Sequence, residues 1–365
     1  MFKSVDLIYI SIEDSKVGRL VMREDRLCAF EYDPDWLSHG FSLSPFYLPL
    51  KSGVFTAKRE PFQGLFGVFN DSLPDGWGNL LLDRLLMKQG IHPESLSVLD
   101  RLAIVGNSGM GALCYKPAYY FDKVEDLSDL NLLAAEIEKI LNEDYNGSLE
   151  LLKQKAGSSG GARPKVLIHL DHEDWMVKFR SSMDPVNIGE LEFLYSKVAK
   201  KCGIEMPETR LFEGKYFGIR RFDRDGGKRI HMHTASGLLY ASYRYPSLDY
   251  TELLKATMAI CGNIIEVSKV FRLMVFNVLT GNKDDHAKNF SFLFQEGNWR
   301  LSPAYDLVLS HGFNDFHAMT IGGKGNPSKE DLFKVADNIG FPLKKAKEIF
   351  EEVFLGCKEI RLPKW

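Results

Sequence analysis

The sequence predicts an α+β protein in two parts. Short alternating segments open the chain within residues 5–31, and a second strand pair appears at VLIHL and WMVKFR. Helical periodicity then dominates, in ELEFLYSKVAKKCG, in residues 264–279 and in the C-terminal stretch. The 365 residues suffice for two or three domains, and 45% hydrophobic with 26% charged residues is ordinary for a soluble globular chain. A net charge of -3 gives no general pull toward nucleic acid or an anionic membrane. The five cysteines (Cys28, Cys114, Cys202, Cys261, Cys357) are scattered and show no metal spacing, which points to reduced thiols in a cytoplasm. The first residues, MFKSVDLIYISIED, lack a sustained apolar run, so no export signal is expected. The most apolar long segment, 264–280, carries Glu266, Lys269, Arg272 and Asn277 and reads as a buried helix rather than a membrane span.

Each element follows in order. DLIYISIE, VGRLVM and LCAFEY read as strands, and FSLSPFYLPL as extended chain. Pro74, Asp75 and Gly76 form a turn before a helix on Leu80, Leu81, Leu82, Leu85 and Leu86, closed by Gly90. A second helical patch precedes GNSGMGAL, a glycine-rich turn without the strand and helix that a dinucleotide fingerprint needs. Residues 118–150 are polar and acidic, with one amphipathic helix (Leu132, Leu133, Ile137, Ile140, Leu141), and read as the join to the second part. The helix ELEFLYSKVAKKCG is expected to bury Leu191, Leu194, Val198 and Cys202. The cluster Arg220, Arg221, Arg224, Lys228, Arg229 is interrupted by Asp223 and Asp225 and reads as a solvated hairpin rather than a nucleic-acid patch. His231 and His233 lack a third ligand for zinc.

The chemistry is concentrated in four places. GSSGGARPK (157–165) is not a Walker loop, but its run of backbone N–H groups beside Lys165 suits a phosphate cradle. A plain flexible loop is the alternative for that stretch alone. Lys178 sits in an aromatic strand just after this loop and a hairpin, where a kinase carries its phosphate-pairing lysine, and Glu192 or Glu190 on the next helix is its candidate ion-pair partner. KYFGIRRFDR would be the hinge between two lobes. Last comes FNVLTGNKDDHAKNFSFLFQEGNWRLSPAYD. Asp284 to Asn289 has the D-x-x-x-x-N spacing of a protein-kinase catalytic loop, and Asp306 follows a strand pair as the second metal ligand would. Glycine loop, strand lysine, helix glutamate, hinge, Asp-x4-Asn and metal-binding Asp stand in the order of a protein-kinase-like bilobal fold.

The spellings GGARPK, RRFDR, GNKDDHAKNFSFL, LSPAYDLV and MTIGGK resemble the C-terminal kinase module of the HipA family of bacterial toxin–antitoxin toxins. VGRL, FEYDPDWL, NDSLPDGWG and LDRLAIVGNSGMGAL resemble that family's N-terminal subdomain. The resemblance spans nearly the whole chain. It implies a small N-terminal α+β subdomain over 1–118 packed on a kinase-like module over 119–365, with an N-lobe-like part to about 225 and a helical C-lobe-like part from 226. It implies Asp284 as catalytic residue and Asn289 and Asp306 as magnesium ligands. ATP contacts would come from Gly160, Gly161, Ala162, Lys165, Lys178, Arg220, Arg221, Phe222, His286, Lys288, Asn289, Tyr305 and Asp306, with Glu192 pairing Lys178. Ser158, with Ser159 as its rival, falls at the family's autophosphorylated serine. Arg220 stands where some relatives carry an acidic residue, so adenine recognition there would rest on backbone atoms.

The expected function is therefore that of a cytoplasmic, ATP- and Mg-dependent serine/threonine protein kinase acting as a growth-inhibiting toxin and silenced by its own phosphorylation. The family implies a HipB-like DNA-binding antitoxin, contact with DNA only through it, aminoacyl-tRNA synthetases as substrates in characterised relatives, and no membrane. Two other classes compete. One is a co-repressor scaffold with little catalysis. The other is a two-metal hydrolase built on Asp284, Asp285, His286 and Asp306, whose activity would not need ATP.

Overall fold

The computed structural model describes residues 3–122, 124–144, 147–158 and 160–360. They group into two compact units. The first runs to Glu190 and includes Thr209–His231; the second comprises Leu191–Glu208 and the residues from Met232 onward.

In the first unit, β1 (Leu7–Ile12), β2 (Ser15–Met22) and β3 (Cys28–Tyr32) form an antiparallel meander. Their period-two pattern buries Ile8, Ile10, Leu20 and Phe30 on one face. Helix α1 (Pro34–His39) and strand β4 (Val54–Thr56) follow, then α2 (Gly67–Asn70) and α3 (Gly76–Lys88). The Asp75 carboxylate caps α3, which buries Trp77, Leu81, Leu82, Leu85 and Leu86. Helix α4 (Val98–Val105) starts in a Ser97/Asp100 capping box. Asp100 also accepts hydrogen bonds from Ser4 Oγ and Val5 N, which ties the start of the chain to this helix. Strand β5 (Leu113–Lys116) pairs with β1 and completes the order β4-β3-β2-β1-β5.

The stretch read as a join carries helix α5 (Leu130–Leu141) and runs into α6 (Leu149–Ala156). Sequence periodicity finds the first and misses the second. Helix α6 has only eight residues, and Lys153 and Lys155 occupy buried positions that break its apolar pattern. Both helices share a core with Trp77 and Leu81 of α3 and with Val166, Trp175 and Val177. Those last three lie on a second antiparallel sheet of β6 (Lys165–Leu170), β7 (Glu173–Lys178), β8 (Thr209–Phe212) and β9 (Tyr216–Arg220), ordered β6-β7-β9-β8. Between β7 and β8 runs α7 (Ile188–Lys201).

Two-residue strands β10 (Arg224–Asp225) and β11 (Lys228–Arg229) close the unit, and here the basic cluster departs from a solvated hairpin. Arg224 donates to the carbonyls of Gly109 and Gly111, and Arg229 to those of Asn107, Gly109 and Gly111. Asp223, fully buried, accepts from Arg221, Arg224 and the Gly111 N–H. The guanidiniums serve as donors for a glycine-rich turn whose carbonyls have no ladder partner.

The second unit is mostly helical. Strand β12 (His231–Thr234) leads to α8 (Ala235–Leu239), α9 (Tyr250–Cys261) and α10 (Ile264–Thr280). Strands β13 (Ser291–Gln295) and β14 (Asn298–Leu301) extend the order β12-β13-β14, and α11 (Lys329–Asn338) and α12 (Leu343–Gly356) end the fold. Helix α10 is buried nearly all round from Val270 onward, as a central helix must be. Helix α7 is rotated relative to expectation. It buries Glu192, Tyr195, Val198, Ala199 and Cys202, while Leu194 is 36% exposed. Tyr195 sets this phase, since its hydroxyl donates to the Thr280 carbonyl at 3.2 Å. Two cysteines that look unrelated in sequence, Cys202 and Cys357, meet with sulfurs 3.6 Å apart. Among the described residues no helix is long and apolar enough to cross a membrane.

Lys153 gives the fold a testable pH dependence. Burial pushes its ammonium from the ordinary 10.5 down to about 8. Between those values the unfolded chain holds a proton that the folded chain has released, so stability rises with pH across that window. Below pH 8 the buried charge is a standing cost. Lys153→Met is expected to flatten the slope and to stabilise the protein at pH 7 by about 2–3 kcal/mol in urea unfolding.

Candidate active site

Within the first unit, the segment 157–165 is held from several sides. Gly161 (φ 91) turns the chain, and its carbonyl accepts from the Trp77 N–H at 3.1 Å. The Trp77 indole donates to the Lys165 carbonyl at 3.2 Å. Gly76 must be glycine, because a Cβ there would stand 2.8 Å from the Ala162 Cα. Arg163 is fixed by Asp184 at 3.0 Å. The Lys165 ammonium folds back to donate to the Gly160 carbonyl. Ser158 is buried, and its Oγ accepts from the Met110 N–H at 3.2 Å. Ser159 lies outside the described residues. The start of α3 thus positions the glycine loop, a role that the sequence reading did not assign to Asp75, Gly76 or Trp77. The turn PDGWG was legible as a helix start, but nothing local said what that start would touch.

Lys178 ends β7 directly opposite Lys165 on β6, and both side chains are buried. Like charges paired across two strands repel, an arrangement that favours an anion between or beside them. The Lys178 ammonium also lies 5.7 Å from the centre of the Phe217 ring on β9. Of the predicted hinge, Arg220 pairs with Glu173 at 2.8 Å, Arg221 binds Asp223 at 2.7 Å, and Phe222 is half-buried. The Arg221 N–H donates to the Asp174 carbonyl, which anchors this stretch to β7.

Within the second unit, the loop after α10 is built on a buried polar chain. Gly281 (φ 68) caps α10. Asn282 donates to Asn277 Oδ1 at 3.0 Å and to the Asp306 carbonyl at 3.4 Å. Asn277 donates to the Tyr250 hydroxyl, which donates to Asp285 Oδ2 at 2.8 Å. His317 Nδ1 reaches the same carboxylate at 2.9 Å, and the Ala318 N–H donates to its other oxygen at 3.0 Å. Burial, reinforced by Asp285 beside it, holds the Tyr250 hydroxyl well above its ordinary range. Neighbouring Asp284 is exposed. One residue of the DD pair therefore anchors the loop and the other faces solvent.

His286, Lys288 and Asn289 lie on the same loop as Asp284, and Tyr305 and Asp306 are hydrogen-bonded to that loop. Asn289 donates through Nδ2 to the Asp284 carbonyl at 2.7 Å, which leaves Oδ1 as its atom for a cation. His286 is half-buried, and its Nδ1 has no hydrogen-bond partner. The Tyr305 hydroxyl donates to the Lys288 carbonyl at 2.7 Å, and the Lys288 ammonium lies 4.2 Å from the Tyr243 ring centre. Tyr243 is a further residue that the sequence reading passed over. Asp306 is half-buried at φ 54, a strained backbone for a residue with a side chain, and its carbonyl is fixed by Asn282. Glu192 is buried on α7.

This geometry removes the hydrolase reading. Asp285 is 1% exposed and its carboxylate accepts from three groups, so it is no metal ligand at a catalytic centre. Among the described residues no three His, Cys, Asp or Glu side chains cluster for a metal. Magnesium at a phosphoryl-transfer site asks for less, one or two hard oxygen ligands plus phosphates and water. The Asn289 Oδ1 and the Asp306 carboxylate fit that donor set. Asp285→Ala would orphan three buried donors and is expected to lower stability by roughly 3 kcal/mol in urea unfolding. Asp284→Asn should leave the unfolding midpoint where it is.

Comparison with known proteins places the chain. Residues 8–116 match the family model of the HipA N-terminal domain, and residues 157–359 that of the HipA-like C-terminal domain. A protein of Sinorhizobium fredii named putative kinase Y4dM is 27% identical over 277 residues, 68% of this chain and 66% of its own length. The serine/threonine-protein kinase toxin HipA of Shewanella oneidensis is 24% identical over 355 residues, 86% of this chain and 78% of its own. The solved Shewanella oneidensis HipA, in a complex with HipB and operator DNA, superposes with a TM-score of 0.71 at 22% identity, covering 95% of this chain and 88% of that one. That likeness shows a shared fold. With its C-terminal match spanning more than half of its residues, the chain belongs to the HipA family.

Proposed function

We propose that this protein is an ATP- and Mg-dependent serine/threonine protein kinase that acts as the growth-inhibiting toxin of a toxin–antitoxin pair in the cytoplasm. The observation that carries the reading is the division of labour in GNKDDHAKN. Asp285 is spent on the fold, while Asp284 faces solvent on a backbone that Asn289 clamps. The kinase names of the relatives support it. So does the opposed pair Lys165 and Lys178 behind a glycine loop.

The roles follow from chemistry. The Asp284 carboxylate accepts the proton of the acceptor hydroxyl as its oxygen attacks the γ-phosphorus, and ADP departs. Lys178 and Lys165, with the N–H groups of Gly160, Gly161 and Ala162, hold the phosphates. Arg220, Arg221 and Phe222 contribute backbone to the adenine side, and His286, Lys288 and Tyr305 complete the nucleotide contacts. Glu192 pairs with Lys178. Asn289 and Asp306 would hold magnesium, which when bound would supply positive charge to the phosphates. In domain terms, 1–118 is the N-terminal subdomain and 119–365 the kinase-like module.

Regulation and partners extend this reading. Ser158 is the autophosphorylation site. Its burial and its hydrogen bond from Met110 mean that the loop must move before the hydroxyl can react. A phosphate of charge near −2 there would then repel ATP and silence the enzyme. The Shewanella protein was solved with HipB and operator DNA, which supports a HipB-like antitoxin as partner, with DNA contacted only through it. The outside substrate is a protein, with an aminoacyl-tRNA synthetase the candidate.

Asp284→Asn should bind ATP as the wild type does in calorimetry yet lose phosphoryl transfer by a factor of about 10²–10⁴. Transfer at the wild-type rate would refute the assignment. Asp306→Asn, or chelation of magnesium, should instead abolish nucleotide binding itself.

A further inference from the structure

The segment after Asp306 returns to the catalytic loop and is fastened to it. Ser310 N donates to the Gly281 carbonyl at 3.1 Å, Lys283 N to the Ser310 carbonyl at 3.0 Å, and Ala318 N to the Lys283 carbonyl at 3.0 Å. The Lys283 ammonium reaches both the carbonyl and the carboxylate of Asp315 at 2.7 Å. Gly312 (φ 60) is required, since a Cβ there would stand 2.2 Å from the Phe316 carbonyl oxygen and 2.9 Å from the Lys283 Cβ. Residues 309–318 are therefore tied to the residue that precedes Asp284.

This tied loop nevertheless turns large apolar side chains to solvent. Leu309 is 48% exposed, Phe313 79% and Phe316 49%. A Cβ on Gly325 would come within 2.9 Å of Phe316, so that side chain is backed by the chain behind it rather than swinging free. Three such side chains in eight residues, on a loop held by backbone hydrogen bonds, mark an interaction surface.

We infer that Phe313 and Phe316, with Leu309, dock the acceptor polypeptide and select an apolar side chain one or two residues from the hydroxyl that receives phosphate. The inference rests on the kinase reading and adds the acceptor's local sequence to it. The acceptor hydroxyl must come within hydrogen-bond reach of Asp284. An extended chain advances about 3.3–3.6 Å per residue, so its next two residues lie within roughly 7 Å of that base. The loop bonds residue 283, the chain neighbour of that base, at Ser310, Asp315 and Ala318. Its charge is cancelled locally, because the Asp315 carboxylate is paired with Lys283. What it offers an incoming chain is an aromatic surface, complementary to a neutral apolar side chain.

The test uses short synthetic peptides with one central serine, flanked on either side by leucine, alanine or glutamate. Phosphorylation is compared between the full-length wild type and a Phe313→Ser/Phe316→Ser variant whose thermal midpoint is checked. The wild type should favour leucine over glutamate at a neighbouring position by about tenfold or more in kcat/KM, and the variant should flatten that ratio. A wild-type ratio near one, a ratio that the variant retains, or phosphate on Ser158 with none on any peptide overturns the docking surface. A dimer that dissociates in the variant while peptide selection stays the same assigns the patch to a second copy and also overturns it. Phosphate on neither peptide nor Ser158 fails the kinase reading instead.

Discussion

The buried carboxylate of Asp285 is the constraint on which the second unit's chemistry depends. Three groups satisfy it directly, and two more extend the chain of hydrogen bonds behind them. Tyr250 reaches it from α9, His317 and Ala318 from the segment beyond Asp306, and Asn277 and Asn282 extend the chain of hydrogen bonds back into α10. A buried carboxyl group is tolerated only when its hydrogen-bonding capacity is met, so the sequence positions of all these partners are linked. The consequence is geometric. With Asp285 locked inward, the preceding residue must face the other way, and Asp284 stands in solvent on a backbone that cannot drift.

The glycine loop of the first unit is held on the same principle with different parts. A flexible run of glycine and serine has too little side chain to define its own shape. Its shape comes from the start of α3, where Trp77 supplies one backbone and one indole donor and Gly76 permits close approach. The turn around Gly111 is fixed in turn by Asp223 and the guanidiniums that surround it. Rigid helices and a buried ion network thus impose order on two segments that would not keep it alone.

How much of this was readable beforehand depended on the range of the interaction. The spacing from Asp284 to Asn289 reports a local loop, and a hydrogen bond within that loop is what the structure contains. Strands β6 and β7 were legible because alternation and a tight turn are local properties; the turn itself is the two residues Asp171 and His172. The phase of α7 was not. Leu194 looks like a core residue, and only the distant Thr280 carbonyl explains why Tyr195 is turned inward in its place. Helix α6 was hidden because two buried lysines disguise its period. Adjacent aspartates cannot be told apart by type, so the structural role of Asp285 appears only once Tyr250 and His317 are beside it.

The central claim is that Asp284 makes this fold a phosphotransferase, and one measurement addresses it most directly. Dephosphorylated protein is incubated with magnesium and ATP, beside Asp284→Asn, and each is analysed by intact mass and peptide mapping. The account predicts added phosphate on the Ser158 peptide in the wild type alone. Phosphate appearing equally in both proteins, or in neither while ATP is shown to bind, would contradict it.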